Sequence, residues 1–269
     1  MKRILLVLAV LSSLNSCFTQ SIRLSKDIKN DSVYLNFINP FYAPIEIKLS
    51  ALDSTKSFVK LQSYNILQRQ DTLKKGLVIP VSKVSDTSLI NITNYVSFDA
   101  KFGDPNLKIN ENYDYTLPFQ VGKRYKIVQT FGGRFSHNKI HSKYALDIGT
   151  QVGDTITAAR SGTVFFIKEN SKEHCPTRKC VDKANKILVI HDDGTIANYV
   201  HLDYNGALVA VGDKVIVGQI IGISGMTGFT TTPHLHFVVH KSGGVAIPIY
   251  FKGLKRRKLK KGKYYKRGS

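Results

Sequence analysis

The chain has 269 residues, 42% of them hydrophobic, and a formal charge of +20 at pH 7. That length allows one large domain or two modest ones, each with its own core, and two are expected. Half of the excess charge lies in Lys252 to Ser269, which has ten Lys or Arg residues and no acid; this reads as a solvated basic tail able to hold an anionic envelope polymer or membrane surface, and nucleic acid is not the expected partner of an exported chain.

Export is read from the start of the chain, where Lys2 and Arg3 precede an apolar run from Ile4 to Leu11 and then small polar residues. The run is too short to cross a bilayer, so residues 1–20 read as a secretory signal and the expected location is the cell envelope or periplasm. Leu14-Asn15-Ser16-Cys17 approximates a lipoprotein processing box, leaving lipid anchoring at Cys17 and plain cleavage both open. In that oxidising compartment Cys175 and Cys180 are expected to form a disulfide. A metal site on this pair with His174 is the rival reading, and no second cysteine pair exists to complete it.

From Ser21 to Asp104 short strands such as Val33–Phe37 and Ile45–Leu49 are separated by Asn-Pro, Ala-Pro and Asp-Ser turn signals. The expected class is all-β, with an immunoglobulin-like sandwich over residues 21–104 that carries no catalytic constellation. A linker over 105–118 then leads to a second domain over 119–251, with 252–269 the basic tail.

In the second domain two segments echo each other, Val152-Gly153-Asp154 and Val211-Gly212-Asp213, each placing Gly-Asp in a tight turn whose aspartate closes it. Ile187–Ile190 and Ile196–Val200 flank Asp193-Gly194, a hairpin signal that delivers His201 at a strand end. A glycine- and threonine-rich stretch, Gly225 to Thr232, then runs into an apolar strand bearing His234 and His236. Alternation puts both histidines on one face, with Leu235 and Phe237 on the other. One imidazole can then hold a metal while the other faces what the metal works on.

The chemically useful residues are His137, His141, Asp147, His201, His234 and His236. Catalytic zinc usually takes three protein ligands and leaves one position for water, and this set can provide them. His174, His191 and His240 read as structural or exposed. Tyr199-Val200-His201-Leu202 and the run from Thr227 to Phe237, Thr-Gly-x-x-x-x-Pro-His-Leu-His-Phe, resemble the motifs of the lysostaphin-type, or M23, zinc metallopeptidases. The resemblance extends from about Phe119 to Pro248.

It implies an antiparallel β-sheet peptidase domain whose zinc is held by an early histidine, Asp147 and His236. It also implies that His201 and His234 act on the water or the substrate. Two departures from the family pattern matter. Where the common form has His-x-Gly-x-Asp, this chain has Lys143 and Ala145, and it resembles a subgroup in which Phe135-Ser136-His137 supplies the ligand; His137 is preferred and His141 stays open. Val238 stands where many members carry Glu, so another group must orient the imidazoles, and Asp192 and Asp193 are not obviously placed to do so. No His-Glu-x-x-His helix is present. The implied function is hydrolysis of peptide cross-links in bacterial peptidoglycan. Its rivals are a non-hydrolytic wall-binding or amidase-activating relative, which would typically have lost ligands, and an envelope adhesin or scaffold working through its first domain and tail.

Overall fold

The structure, a computed structural model, describes residues 6–7 and 21–268. The signal expected over residues 1–20, with Cys17, lies outside the described residues except for the backbone of Leu6–Val7, which pairs with Arg23 and Leu24. Strands dominate, and among the described residues the helical elements are all short 3₁₀ turns. The chain divides into two compact units, Met1–Asp104 and Pro105–Ser269.

In the first unit Ser32–Ile38 lies between Arg23–Lys29 and Thr72–Pro80, antiparallel to both. A second sheet sets Ile45–Ala51 between Tyr64–Leu67 and Val96–Phe102. Alternation sorts the side chains: Ile45, Ile47 and Leu49 are buried, whereas Lys48 and Ser50 are exposed. Phe37 of the first sheet stacks on Phe98 of the second with ring centroids 5.7 Å apart, so the two apolar faces meet.

The second unit is built on β1 (Arg124–Gln129), β2 (Leu146–Gly149), β3 (Gly162–Lys168), β4 (Asn185–Ile190), β5 (Ile196–Ala207), β6 (Leu235–Lys241) and β7 (Tyr264–Lys266). Their order across the sheet is β3-β4-β5-β6-β2-β1-β7, antiparallel throughout. Leu146, Ile148, Ile187, Val189, Tyr199, Leu235 and Phe237 turn one face into the core. Residues between them face the other way. Register partners share a face, so Lys186, Val200, His236, Asp147 and Gln129 form a row running across β4, β5, β6, β2 and β1. The row floors a cleft of about 460 Å³.

Two expectations about organisation are corrected here. Residues 105–118, expected as a linker, pack within the second unit: Tyr115 and Leu117 are core residues, and Tyr115 pairs with Phe251. The basic segment is likewise not a free tail. Leu259 is buried at 3% exposure, and β7 adds to the sheet by pairing Tyr264, Tyr265 and Lys266 with Lys126, Tyr125 and Arg124. Arg267 donates to the Phe119 carbonyl at 2.7 Å and to Thr157 Oγ1 at 2.9 Å. The physical reason is that Leu254, Leu259 and Tyr265 are interspersed among the cations, so the segment buries one side and leaves its charges in water.

Candidate metal centre

Asp147 of β2 and His236 of β6 stand opposite each other in register, which brings His236 Nδ1 within 2.8 Å of Asp147 Oδ1. His137, from the loop after β1, brings Nε2 to 3.1 Å from the same oxygen. One donor atom from each of the three lies within 4.8 Å of the others. His137 is fully buried and Asp147 is 6% exposed.

His137 Nδ1 donates to the Thr130 carbonyl at 3.1 Å, so a neutral ring carries its lone pair on Nε2 and turns it toward the carboxylate. Two acceptors this close repel each other unless a proton or a cation lies between them. Two imidazoles and one carboxylate are a donor set that zinc accepts while keeping a fourth position open, and the residues present therefore fit a metal ion. Burial alone would raise the Asp147 carboxyl, but a proton shared with His137 Nε2, the hydrogen bond from His236 Nδ1 and the proximity of His236 and His234 hold it well below the usual carboxylate range.

The groups that orient this set come mostly from the backbone. Gln129 Nε2 donates to Asp147 Oδ2 at 3.0 Å and to Ser136 Oγ at 2.7 Å, fixing the carboxylate from behind. Each of three histidines has its Nδ1 on a carbonyl: His137 on Thr130, His201 on Thr227 at 2.6 Å, and His234 on Thr232 at 2.8 Å. These carbonyls do the work that an acid at Val238 would otherwise do. Asp193 is engaged elsewhere, 2.8 Å from Arg160.

His201 was expected at a strand end, but β5 continues beyond it. His201 has φ of 69°, in the left-handed region that residues other than glycine seldom enter. At that break β5 leaves β6, where Val200 pairs with His236, and joins Ser224 through Leu202. The neighbouring loop is clamped by Thr227, whose Oγ1 donates to the Leu202 carbonyl at 2.7 Å and accepts from Asn185 N at 2.9 Å. The His201 and His234 ring centroids are 4.6 Å apart. With Nδ1 donating to a carbonyl, each ring in its neutral form carries its lone pair on Nε2. Burial, reinforced by the neighbouring His234 and His236, pushes the His201 imidazole down to about 3.

Of the remaining candidates, His141 stands outside the three-donor group; it is exposed, and its carbonyl accepts from His240 Nε2 at 2.7 Å. His191 is buried with Nδ1 on the Ser161 carbonyl at 2.8 Å. Cys175 and Cys180 form a disulfide, which removes the rival metal site. The loop they close braces the histidine loop, for the Glu173 and Cys175 carbonyls accept from Gly228 N and Thr230 N at 2.8 and 3.2 Å. Asp154 and Asp213 close their own turns, accepting from Gln151 N at 2.6 Å and Ala210 N at 2.8 Å. Sequence reasoning missed Gln129 and Lys186, whose place in the cleft comes from β-register rather than from any motif.

Residues 141–248 match the profile of Peptidase family M23. Among curated proteins, an uncharacterized metalloprotease of Buchnera aphidicola is 26% identical over 198 residues, covering 72% of this chain and 48% of that protein. The peptidoglycan DD-endopeptidase ShyA of Vibrio cholerae is 28% identical over 149 residues, covering 54% of this chain and 31% of ShyA. The chain thus spans about half the length of the first relative and less of the second. Among solved structures, lysostaphin from Staphylococcus simulans is 30% identical with a TM-score of 0.35, covering 46% of this chain and 47% of that one. His137 lies just before the matched span, so its membership of the centre rests on geometry alone.

Proposed function

This chain carries a Peptidase family M23 domain over residues 141–248, and from that premise we propose that it is an exported zinc metallo-endopeptidase hydrolysing the peptide cross-links of bacterial peptidoglycan in the cell envelope. The observation that carries this reading is a three-donor group, His137, Asp147 and His236, beside two imidazoles whose Nδ1 atoms are both tied to carbonyls. The substrate class is supported by the peptidoglycan endopeptidase among its relatives.

In this reading His137 Nε2, Asp147 Oδ1 and His236 Nδ1 would hold zinc, which when bound would supply a Lewis acid that eases deprotonation of water toward pH ~7. His201 or His234 would accept the attacking water's proton on Nε2. The other ring stabilises the oxygen that gains charge as the peptide carbonyl is attacked, and a proton returns to the leaving amine. The Thr227 and Thr232 carbonyls hold the tautomers that leave Nε2 able to receive that proton. A non-hydrolytic wall-binding or amidase-activating protein is the rival reading, and the intact donor set favours hydrolysis over it.

Digestion of purified peptidoglycan by the zinc-loaded protein, with fragments identified by mass, tests the reaction. New amino and carboxyl termini at a cross-link are expected, and sacculi left intact at stoichiometric zinc would refute it. Metal analysis tests the ligands: Asp147→Ala, His236→Ala and His137→Ala should lose zinc and activity together, whereas His141→Ala should keep both. Zinc retained by His137→Ala but lost by His141→Ala would transfer the first ligand to His141.

A further inference from the structure

Lys186 belongs to the row of side chains flooring the cleft, yet the hydrolytic reading gives it no task. It is half-buried on β4, and its amine lies over the Phe166 ring at 5.7 Å. Among the described residues no ion pair or hydrogen bond engages that amine. Burial, with the charge of Lys168 adding to it, lowers its pKa to about 8 against a smaller opposing pull from Asp182. An amine withdrawn from water with no carboxylate in contact is costly to the fold, and an arriving carboxylate would relieve that cost.

The charge of the surrounding cleft points the same way. Among its lining side chains Asp147 is the one acid, against the cations Arg178, Lys186 and Lys261. Asp147 is already occupied by His137 and His236, so a substrate meets uncompensated positive charge. Arg178 reaches the rim from within the disulfide loop, its guanidinium 5.9 Å from the centroid of Phe229.

Lys186 and His236 are two strands apart through Val200, roughly 10 Å at the usual strand spacing, and an extended peptide covers that span in about three residues. We propose that Lys186, with Arg178 at the rim, forms a carboxylate-binding subsite, so that the substrate is an acidic peptide with a free carboxylate about three residues from the scissile bond. This rests on the peptidase reading for the identity of the scissile bond, but the subsite is a binding property that can be measured without cleavage.

The test is an NMR shift titration of the full chain, with and without zinc, using acetyl-Ala-Ala-Glu-Ala-Ala-amide and its Gln counterpart. Wild type should bind the Glu peptide about tenfold more tightly. Lys186→Met should bring that ratio close to one, Lys186→Arg should keep it, and Arg178→Gln should reduce it partly. Lys214→Met, an exposed lysine outside the cleft lining on the short edge strand that pairs with β3, controls for overall charge and should leave the ratio intact. Equal binding of the two peptides by wild type, a preference that survives in Lys186→Met, or its loss in Lys214→Met would each overturn the subsite. Glu preference without digestion of sacculi would instead refute the peptidase reading and leave the subsite standing.

Discussion

At the scale of single residues, the centre depends on groups that touch no substrate. Gln129 links β1 to the carboxylate of Asp147 and to Ser136. Removing such a supporting partner typically weakens metal binding 10–100-fold. Gln129→Leu should therefore raise the zinc dissociation constant by about that factor, as read by chelator competition, with the fold retained; unchanged zinc affinity would show that the carboxylate is held by its histidines alone. Buried and half-buried histidines also set the pH response. Burial, the first cause in each case, pushes His191, His201 and His240 down to about 4, 3 and 4. In the unfolded chain these rings gain protons below ~6.5, while in the fold they stay neutral, so the unfolded state binds more protons and stability falls as pH drops from ~6.5 toward ~4. Three such groups give a slope of at most about 4 kcal/mol per pH unit. Urea melts of the metal-stripped protein at pH 7 and pH 5 measure it, and equal midpoints would mean that the rings titrate as if exposed.

At the scale of elements, the disulfide loop and the histidine loop act as a pair. The Cys175 and Glu173 carbonyls hold Thr230 and Gly228, and Thr227 in the same loop supplies the carbonyl that orients His201. The three donors of the candidate centre come from other segments. Replacing both cysteines by serine should cost about 2 kcal/mol of stability and lower kcat/KM about tenfold, a loss of about 1.4 kcal/mol, while stoichiometric zinc remains. Loss of zinc together with activity would show that the loop supports the donors as well. This division also marks what the sequence could reveal. The Tyr-x-His and His-x-His motifs name their own residues, and strand alternation puts His236 on the cleft face, because both are local properties. Gln129 and Lys186 enter the same face through pairings between strands distant in the chain, which no local pattern encodes. The backbone carbonyls that orient the rings have no residue-type signature at all.

At the scale of the whole molecule, the C-terminal segment is where composition misled most, because ten cations conceal the few apolar side chains that anchor it. Leu259 lies in the core of the second unit, and its carbonyl accepts from Thr130 Oγ1 at 2.6 Å. Thr130 in turn orients His137 through its own carbonyl. Next to that contact Gly262 N donates to the Ile127 carbonyl and Ile127 N to the Lys263 carbonyl, at 2.8 and 2.9 Å. The segment therefore braces the first candidate ligand as well as the edge of the sheet. Leu259→Ala should cost about 2–5 kcal/mol by the usual measure for an emptied leucine site, with a lowered Tm. A chain ending at Tyr250 should lose both cooperative unfolding and zinc. The exposed charges are separable from this role: replacing Lys255, Arg257 and Lys258 with Gln should leave Tm and zinc content unchanged, yet weaken binding to sacculi at low salt and flatten its salt dependence, since screening shortens their reach to ~8 Å at physiological ionic strength. Thermal melts, metal analysis and sacculus binding on the three variants distinguish the roles. If Leu259→Ala melts as wild type and the shortened chain keeps its zinc, the segment is only a charged tether.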